Sequence, residues 1–162
     1  MIIRRAARED IEGINKLLGQ VLYVHHVDRP DIFKAQGKKY RDDELLKIIA
    51  DDSTPLFVAV SEQGEILGHC FTRINEVRNH SSLVDIKTLY IDDLCIDENA
   101  RGTGVGTALY DYAVDFARSI GCYNVTLNVW AENKAAMKFY ESKGLKVQKL
   151  GMEKILLEYP QK

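Results

Sequence analysis

The chain reads as an α+β fold, one sheet with helices on its faces, on three observations. A block of apolar, β-branched runs occupies the middle: Leu56-Phe57-Val58-Ala59-Val60, Ile66-Leu67-Gly68-His69-Cys70-Phe71 and a long run ending at Ile96. Beyond it Val105, Ala108, Leu109, Tyr112, Ala113, Phe116 and Ile120 recur at helical spacing. A further strand, Tyr123 to Val129, then precedes a helical stretch, Lys134 to Lys143. The 162 residues contain no repeat, low-complexity tract or compositional break, so one domain over 1–162 is expected.

In chain order, Ile2-Ile3-Arg4-Arg5 predicts a short first strand. Ile11, Ile14, Leu17, Leu18, Val21 and Leu22 predict an amphipathic helix, with Glu9 and Asp10 suited to the positive end of its dipole. Tyr23 to Lys39, with His25, His26, Asp28, Arg29, Pro30, Asp31 and Phe33, is expected as a loop too long for a plain connection, and hence a working one. A second helix carries Leu45, Leu46, Ile48 and Ile49 after the acidic start Asp42-Asp43-Glu44, and Pro55 stops it. Ser61-Glu62-Gln63-Gly64-Glu65 turns the hairpin between the next two strands. A looser segment through Asn79 to Ser82 leads to the long strand. Gly121 is placed to cap the third helix, Asn133 to start the fourth and Gly144 to end it. Val147 and Ile155-Leu156-Leu157 predict a closing pair of strands.

The chemistry concentrates at the end of the long strand, in Ala100-Arg101-Gly102-Thr103-Gly104-Val105-Gly106-Thr107. Strand, glycine loop and helix N-terminus together make a device for holding a phosphate. Residues without Cβ let the backbone N–H groups turn onto a ligand, and the helix adds unpaired donors and its dipole. Arg101 adds a guanidinium. A P-loop would need Gly-Lys-Ser/Thr, but Thr107 follows Gly106 directly, and the third glycine falls one residue early for G-x-G-x-x-G.

Arg101-x-x-Gly104-x-Gly106 resembles the Arg/Gln-x-x-Gly-x-Gly/Ala signature of the GNAT superfamily of acyl-CoA N-acyltransferases. The resemblance continues in Asn133-x-x-Ala136-x-x-Phe139-Tyr140-Glu141-x-x-Gly144-Leu145, where Leu145 stands for the family's usual Phe. It is good from about Leu89 onward and loose before. It implies a GNAT-like fold: a central, mixed, mostly antiparallel sheet of six or seven strands with about four helices on its faces. It also implies acetyl-CoA as acyl donor, no metal, and direct transfer to a primary amine in a ternary complex.

Carried over residue by residue, the resemblance puts the backbone N–H groups of Arg101, Gly102, Thr103, Gly104, Val105, Gly106 and Thr107 on the coenzyme A pyrophosphate. Main-chain groups of Leu94 and Ile96 go to the pantetheine arm, in a gap where two parallel strands splay. The Leu94 N–H is expected to polarise the thioester carbonyl. Asn133 touches the cofactor as well as capping its helix, and Ala136 allows close approach. Tyr140 corresponds to the tyrosine directed at the coenzyme A sulfur. For the general base, Asn128 lies where relatives acetylating ribosomal-protein N-termini carry a glutamate, and an amide is no base. Asp92 matches the carboxylate of relatives acting on aminoglycosides and is the expected base or amine anchor. Regular alternation puts Asp92 and Leu94 on one face and Asp93 on the other, unless a bulge resets the phase.

Composition narrows the alternatives. A formal net charge of −2, with no basic block, argues against nucleic acid, and Met1-Ile2-Ile3-Arg4-Arg5 lacks the apolar stretch of a signal peptide. No apolar run is long enough for a membrane span, so no membrane partner is expected. Cys70, Cys95 and Cys122, odd in number and widely spaced, read as reduced thiols in a cytoplasmic protein, with Cys95 a packed strand residue. Polyamine, aminoglycoside, peptide N-terminus, lysine side chain and amino-acid-like metabolite all fit as acceptors. A homodimer is expected from the habit of relatives. A second reading, a non-catalytic acyl-CoA-binding regulator, has the intact Tyr140 against it.

Overall fold

The computed structural model describes residues 1–157. Its sheet runs in the order β1 (Ile2–Arg5), β2 (Leu56–Val60), β3 (Ile66–Val77), β4 (Ile86–Ile96) and β5 (Asn124–Leu127). The first four strands pair antiparallel, and β4 and β5 pair parallel. Helices α1 (Ile11–Asp28) and α2 (Asp42–Ala50) precede β2, α3 (Val105–Ser119) is the crossover between β4 and β5, and α4 (Lys134–Ser142) follows β5.

Strand alternation divides the core between the two faces of the sheet. Phe57, Ala59, Cys70, Leu89 and Ile91 meet Leu109, Ala113 and Ala117 of α3 on one face. Val58, Val60 and Phe71 meet Ile14 and Leu18 of α1 and Leu45 of α2 on the other. Every residue of β2 is buried because both its faces are covered. Full burial of a Leu or Ile side chain such as Ile14 or Leu109 contributes about 1.5–3 kcal/mol.

Three expectations need correction. The described residues form five strands, not six or seven: Val147 and Ile155–Leu157 make no strand. Once Leu145 N–H closes onto Tyr140 O, the chain runs clear of the sheet, with Val147 69% and Leu157 85% exposed. Apolar, β-branched composition makes no strand without a ladder to join. The expected loop from Tyr23 is helical as far as Asp28, so His25 and His26 ride on the last turn of α1. Pro30 explains the stop, since it forces Arg29 out of helical geometry, at φ −140° and ψ 70°. Strand β3 also runs on to Val77, through what composition marks as looser chain.

A bulge interrupts the β3–β4 ladder. Phe71 faces Asp93 but Thr72 faces Ile91, which leaves Asp92 as the extra residue. The bulge resets the alternation, so Leu89, Ile91, Leu94 and Ile96 all serve the α3 face. Asp93 is left on the face of α1, beside His69.

Candidate active site

The site opens where the two parallel strands part. The last β4–β5 pair is Ile91 with Leu127, yet β4 continues to Ile96. Among the described residues the backbone of Asp92 to Ile96 therefore has no strand on its β5 side, which is the splay expected for Leu94 and Ile96. Gly68 lies opposite Ile96 on β3, and a Cβ there would come within 2.7 Å of Ile96 Cδ1 and 2.8 Å of Leu109 Cδ1. Only glycine lets α3 seat this closely against the mouth of the splay.

Past Ile96 the chain enters the glycine loop through a turn in which Asp97 caps Asn99 N–H at 3.0 Å and is held by Lys16 at 2.9 Å. Gly102 and Gly104 take φ of 76° and 89°, the left-handed region, and Gly104 is the N-cap of α3. Among the described residues no protein acceptor in normal hydrogen-bond geometry meets the backbone N–H groups of Arg101, Gly102, Thr103, Gly104, Val105, Gly106 and Thr107. The first N–H of α3 to find one is that of Ala108, on Gly104 O at 3.0 Å. Nothing lies within 4 Å of a Cβ built at Gly102 or Gly104, so the loop is open on the side of these two glycines. Arg101 stays close, its Nε donating to Ile96 O at 3.3 Å. A loop of free donors at the positive end of a 15-residue helix is an anion cradle.

Helix α4 closes the other side. Asn133 Oδ1 accepts from Ala136 N at 3.0 Å, which is the expected cap. One turn beyond Ala136, the Tyr140 ring packs on Phe139 at 5.2 Å and near Tyr110 at 6.3 Å. Burial pushes the Tyr140 phenol well above its ordinary range, with the Asp93 charge adding in the same direction, so it stays protonated. Burial likewise pushes the Cys95 thiol up to about 12, and its Sγ lies 3.5 Å from Leu17 O, so it is a packed strand residue and not a nucleophile.

On the α1 face, two carboxylates flank the bulge. Asp92 is 36% exposed and pairs with Lys39 Nζ at 3.3 Å. Asp93 is only 9% exposed, with Lys39 Nζ at 3.8 Å and His69 Nε2 at 3.5 Å from its Oδ2. The ammonium also sits over the Tyr40 and Phe71 rings, 5.4 and 5.9 Å from their centroids. His25 stacks on Phe33 at 4.9 Å, and Phe33 meets Trp130 edge-on at 5.4 Å. Arg29, anchored by Asp31 at 2.7 Å, lies 5.7 Å over the Trp130 ring. Asn128 donates to the Tyr90 hydroxyl at 3.1 Å.

The structure thus gathers Asp92, Leu94 and Ile96 at the splay, the glycine loop at its mouth, and Asn133, Ala136 and Tyr140 on α4. Sequence reasoning missed Lys39, which reaches the site from the α1–α2 connection and carries no local signal. It also passed over His69, whose signal was present: an imidazole in an otherwise apolar strand, here fully buried.

The chain matches the model of the acetyltransferase (GNAT) family over residues 21–145. It is 26% identical over 145 residues to the glucosamine 6-phosphate N-acetyltransferase of Arabidopsis thaliana, covering 88% of this chain and 87% of that one. To the peptidyl-lysine N-acetyltransferase of Salmonella typhimurium it is 28% identical, over 90% of this chain and 83% of the other. Among solved structures, a variant of the BH1408 protein from Bacillus halodurans superposes with a TM-score of 0.93 at 29% identity, covering 97% of this chain and all of that one. A family match across most of the chain, joined to a sheet that splays beside a glycine-loop helix, leaves one conclusion: the protein belongs to the GNAT family of acetyltransferases.

Proposed function

We propose that the protein transfers an acetyl group from acetyl-CoA to a primary amine by direct attack within a ternary complex. The observation that carries this reading is the row of unanswered N–H groups from Arg101 to Thr107 at the mouth of the β4–β5 splay. Those donors, with Arg101, hold the pyrophosphate, while Leu94 and Ile96 offer main-chain groups to the pantetheine arm. Asn133 and Ala136 line the α4 side. The Leu94 N–H polarises the thioester carbonyl.

The acceptor amine arrives as an ammonium and gives up two protons. One leaves before attack, and the other ends on the coenzyme A sulfur, for which Tyr140 holds a proton in place. Asp92 anchors the ammonium. Lys39 supports this assignment, because its own Nζ occupies such a position between the two carboxylates and two aromatic rings. The relatives named for glucosamine 6-phosphate and for peptidyl-lysine both act on primary amines, which supports the same acceptor class here. A cytoplasmic setting agrees with three free cysteines and with the lack, among the described residues, of a helix long and apolar enough to cross a membrane. The exposed apolar arm from Val147 to Leu157 is the surface we assign to a homodimer.

The test is thiol release from acetyl-CoA against a panel of primary amines and amine-bearing peptides. Amine-dependent release is expected. Acetyl-CoA binding with no release across the panel would replace the enzyme reading with that of an acyl-CoA-binding regulator.

A further inference from the structure

Among the described residues five buried side-chain polar atoms lack a partner, Asn15 Oδ1, His25 Nδ1, both ring nitrogens of His69 and Asp93 Oδ2, and the last three lie together on the α1 face. Asp93 Oδ2 is shut away from water and receives no hydrogen bond, and neither ring nitrogen of the fully buried His69 has a partner. An orphaned buried polar atom is destabilising, because it has given up water without gaining a partner. Here the orphans face each other across 3.5 Å. Structural need does not explain them, since an apolar pair in this layer would pack without that cost. Lys39 Nζ lies 3.8 Å from Asp93 Oδ2, so an ammonium on a flexible stem already approaches it in this fold.

We infer that Asp93, not Asp92, takes the proton from the acceptor's ammonium, and that His69 behind it is the group to which that proton passes. The inference rests on the acetyl transfer proposed above and divides the labour between the two carboxylates. Asp92, exposed and beside Lys39, anchors. Asp93, buried next to the bulge, deprotonates.

The step balances. An ammonium N–H proton moves to Asp93 Oδ2, and the freed nitrogen pair forms the bond to the thioester carbon. The C–S pair leaves on sulfur, which ends with the second nitrogen proton by way of the Tyr140 hydroxyl. Asp93 then hands its proton to His69 Nε2, whose ring can accept there when its own hydrogen is on Nδ1. When the amide product leaves and water enters, the proton returns from His69 through Asp93 to solvent, which restores both groups for the next turnover.

The surroundings suit Asp93 as a conduit and not as a store. Burial raises its carboxyl, but His69 on β3 once it carries the proton on Nε2, with Lys39 from the α1–α2 connection and His25 on α1, holds it below the ordinary carboxylate range. The His69 imidazole, with Nε2 at 3.5 Å from Oδ2, is the recipient the geometry offers. Tyr140 on α4 feels the Asp93 charge and keeps its proton more firmly for it. Cys70 and Cys95, flanking on β3 and β4, are held as neutral thiols by burial and take no part.

The experiment is the pH dependence of kcat/KM from about pH 6 to about pH 10 with an aliphatic primary amine, for wild type and for Asp93→Asn, His69→Gln and Asp92→Asn. Without its internal proton acceptor the Asp93→Asn enzyme must wait for solvent to deprotonate the amine. Its rate should therefore climb ~tenfold per pH unit, from a deficit of roughly 10²- to 10⁴-fold at neutrality to near parity at the alkaline end. His69→Gln should show the same steepening in weaker form, and it reads the relay even if Asp93→Asn proves too unstable to assay. Asp92→Asn should raise the acceptor KM and keep the wild-type profile shape. A loss in Asp93→Asn and His69→Gln that is equal at every pH would mean a packing role and overturn the inference, as would the steep profile appearing in Asp92→Asn instead. Wild-type protein that acetylates no amine removes the functional reading itself, whereas transfer with a pH-independent loss removes only this assignment.

Discussion

Replacing Tyr140 with Phe isolates one hydroxyl. The ring contacts with Phe139 and Tyr110 remain, and among the described residues that hydroxyl makes no hydrogen bond that the change would break. The fold therefore loses nothing it was using, and the melting transition should shift by no more than ~0.5 kcal/mol allows. Turnover is another matter. The wild-type phenol, pushed up by burial, is fully protonated at neutral pH and available to the departing sulfur. General-acid help of this kind is worth ~10²- to 10⁴-fold, or about 2.7–5.4 kcal/mol of barrier at 1.36 kcal/mol per decade. The assay is kcat for Tyr140→Phe with acetyl-CoA affinity and thermal melt measured alongside. The account requires kcat to fall by that range while affinity and melt stay put. An unaltered kcat, with chemistry shown to be rate-limiting, would reduce Tyr140 to a packing residue and refute the reasoning.

Gly104→Val puts a β-branched side chain at a φ of 89° and into the space above the free donors. Backbone strain of about 1–3 kcal/mol and a loss of acetyl-CoA affinity of at least ~tenfold are expected. Wild-type affinity by calorimetry would mean that the loop does not hold the pyrophosphate. Asp92→Asn should raise the acceptor KM several-fold and leave acetyl-CoA affinity intact, and unchanged kinetics with a true acceptor would move the anchor elsewhere. Asp10→Asn tests the fold. Asp10, 4% exposed, accepts from Arg4 Nη1 at 2.7 Å and Nη2 at 2.9 Å and from Ala7 N at 2.7 Å, and Arg4 is partly solvated, so a cost of about 2–3 kcal/mol is expected. Burial raises the Asp10 carboxyl, but Arg4 and the Ala7 N–H more than offset this and lower it overall. Its contribution is present above the unfolded value of ~3.9 and is lost as pH falls through the folded one. Urea midpoints at neutral and acid pH should show wild type losing its advantage over the variant on acidification, and a constant gap would contradict the assignment.

What the sequence makes legible is what is decided locally. The glycine loop, the Asn133 cap, the stop at Gly144 and the amphipathic faces of α3 and α4 depend on a few adjacent residues, and they stand where the spacing puts them. The bulge at Asp92 does not. It arises from how β3 and β4 register over their full lengths, and it alone decides that Asp93 turns toward His69 and away from the α3 face. Lys39 is equally hidden, because only the packing of the α1–α2 connection against β4 carries its ammonium to the two carboxylates. The arm after Leu145 misleads for a related reason. Ile155, Leu156 and Leu157 have strand composition, but whether they pair depends on a partner edge that no local window contains.

The most direct test of the central claim is a crystal structure of the protein with acetyl-CoA. The pyrophosphate is expected against the N–H groups of Arg101 to Thr107, the pantetheine arm in the splay beyond Ile91 and Leu127, and the sulfur within hydrogen-bonding distance of the Tyr140 hydroxyl. A nucleotide bound away from the glycine loop, or a sulfur remote from Tyr140, would contradict it.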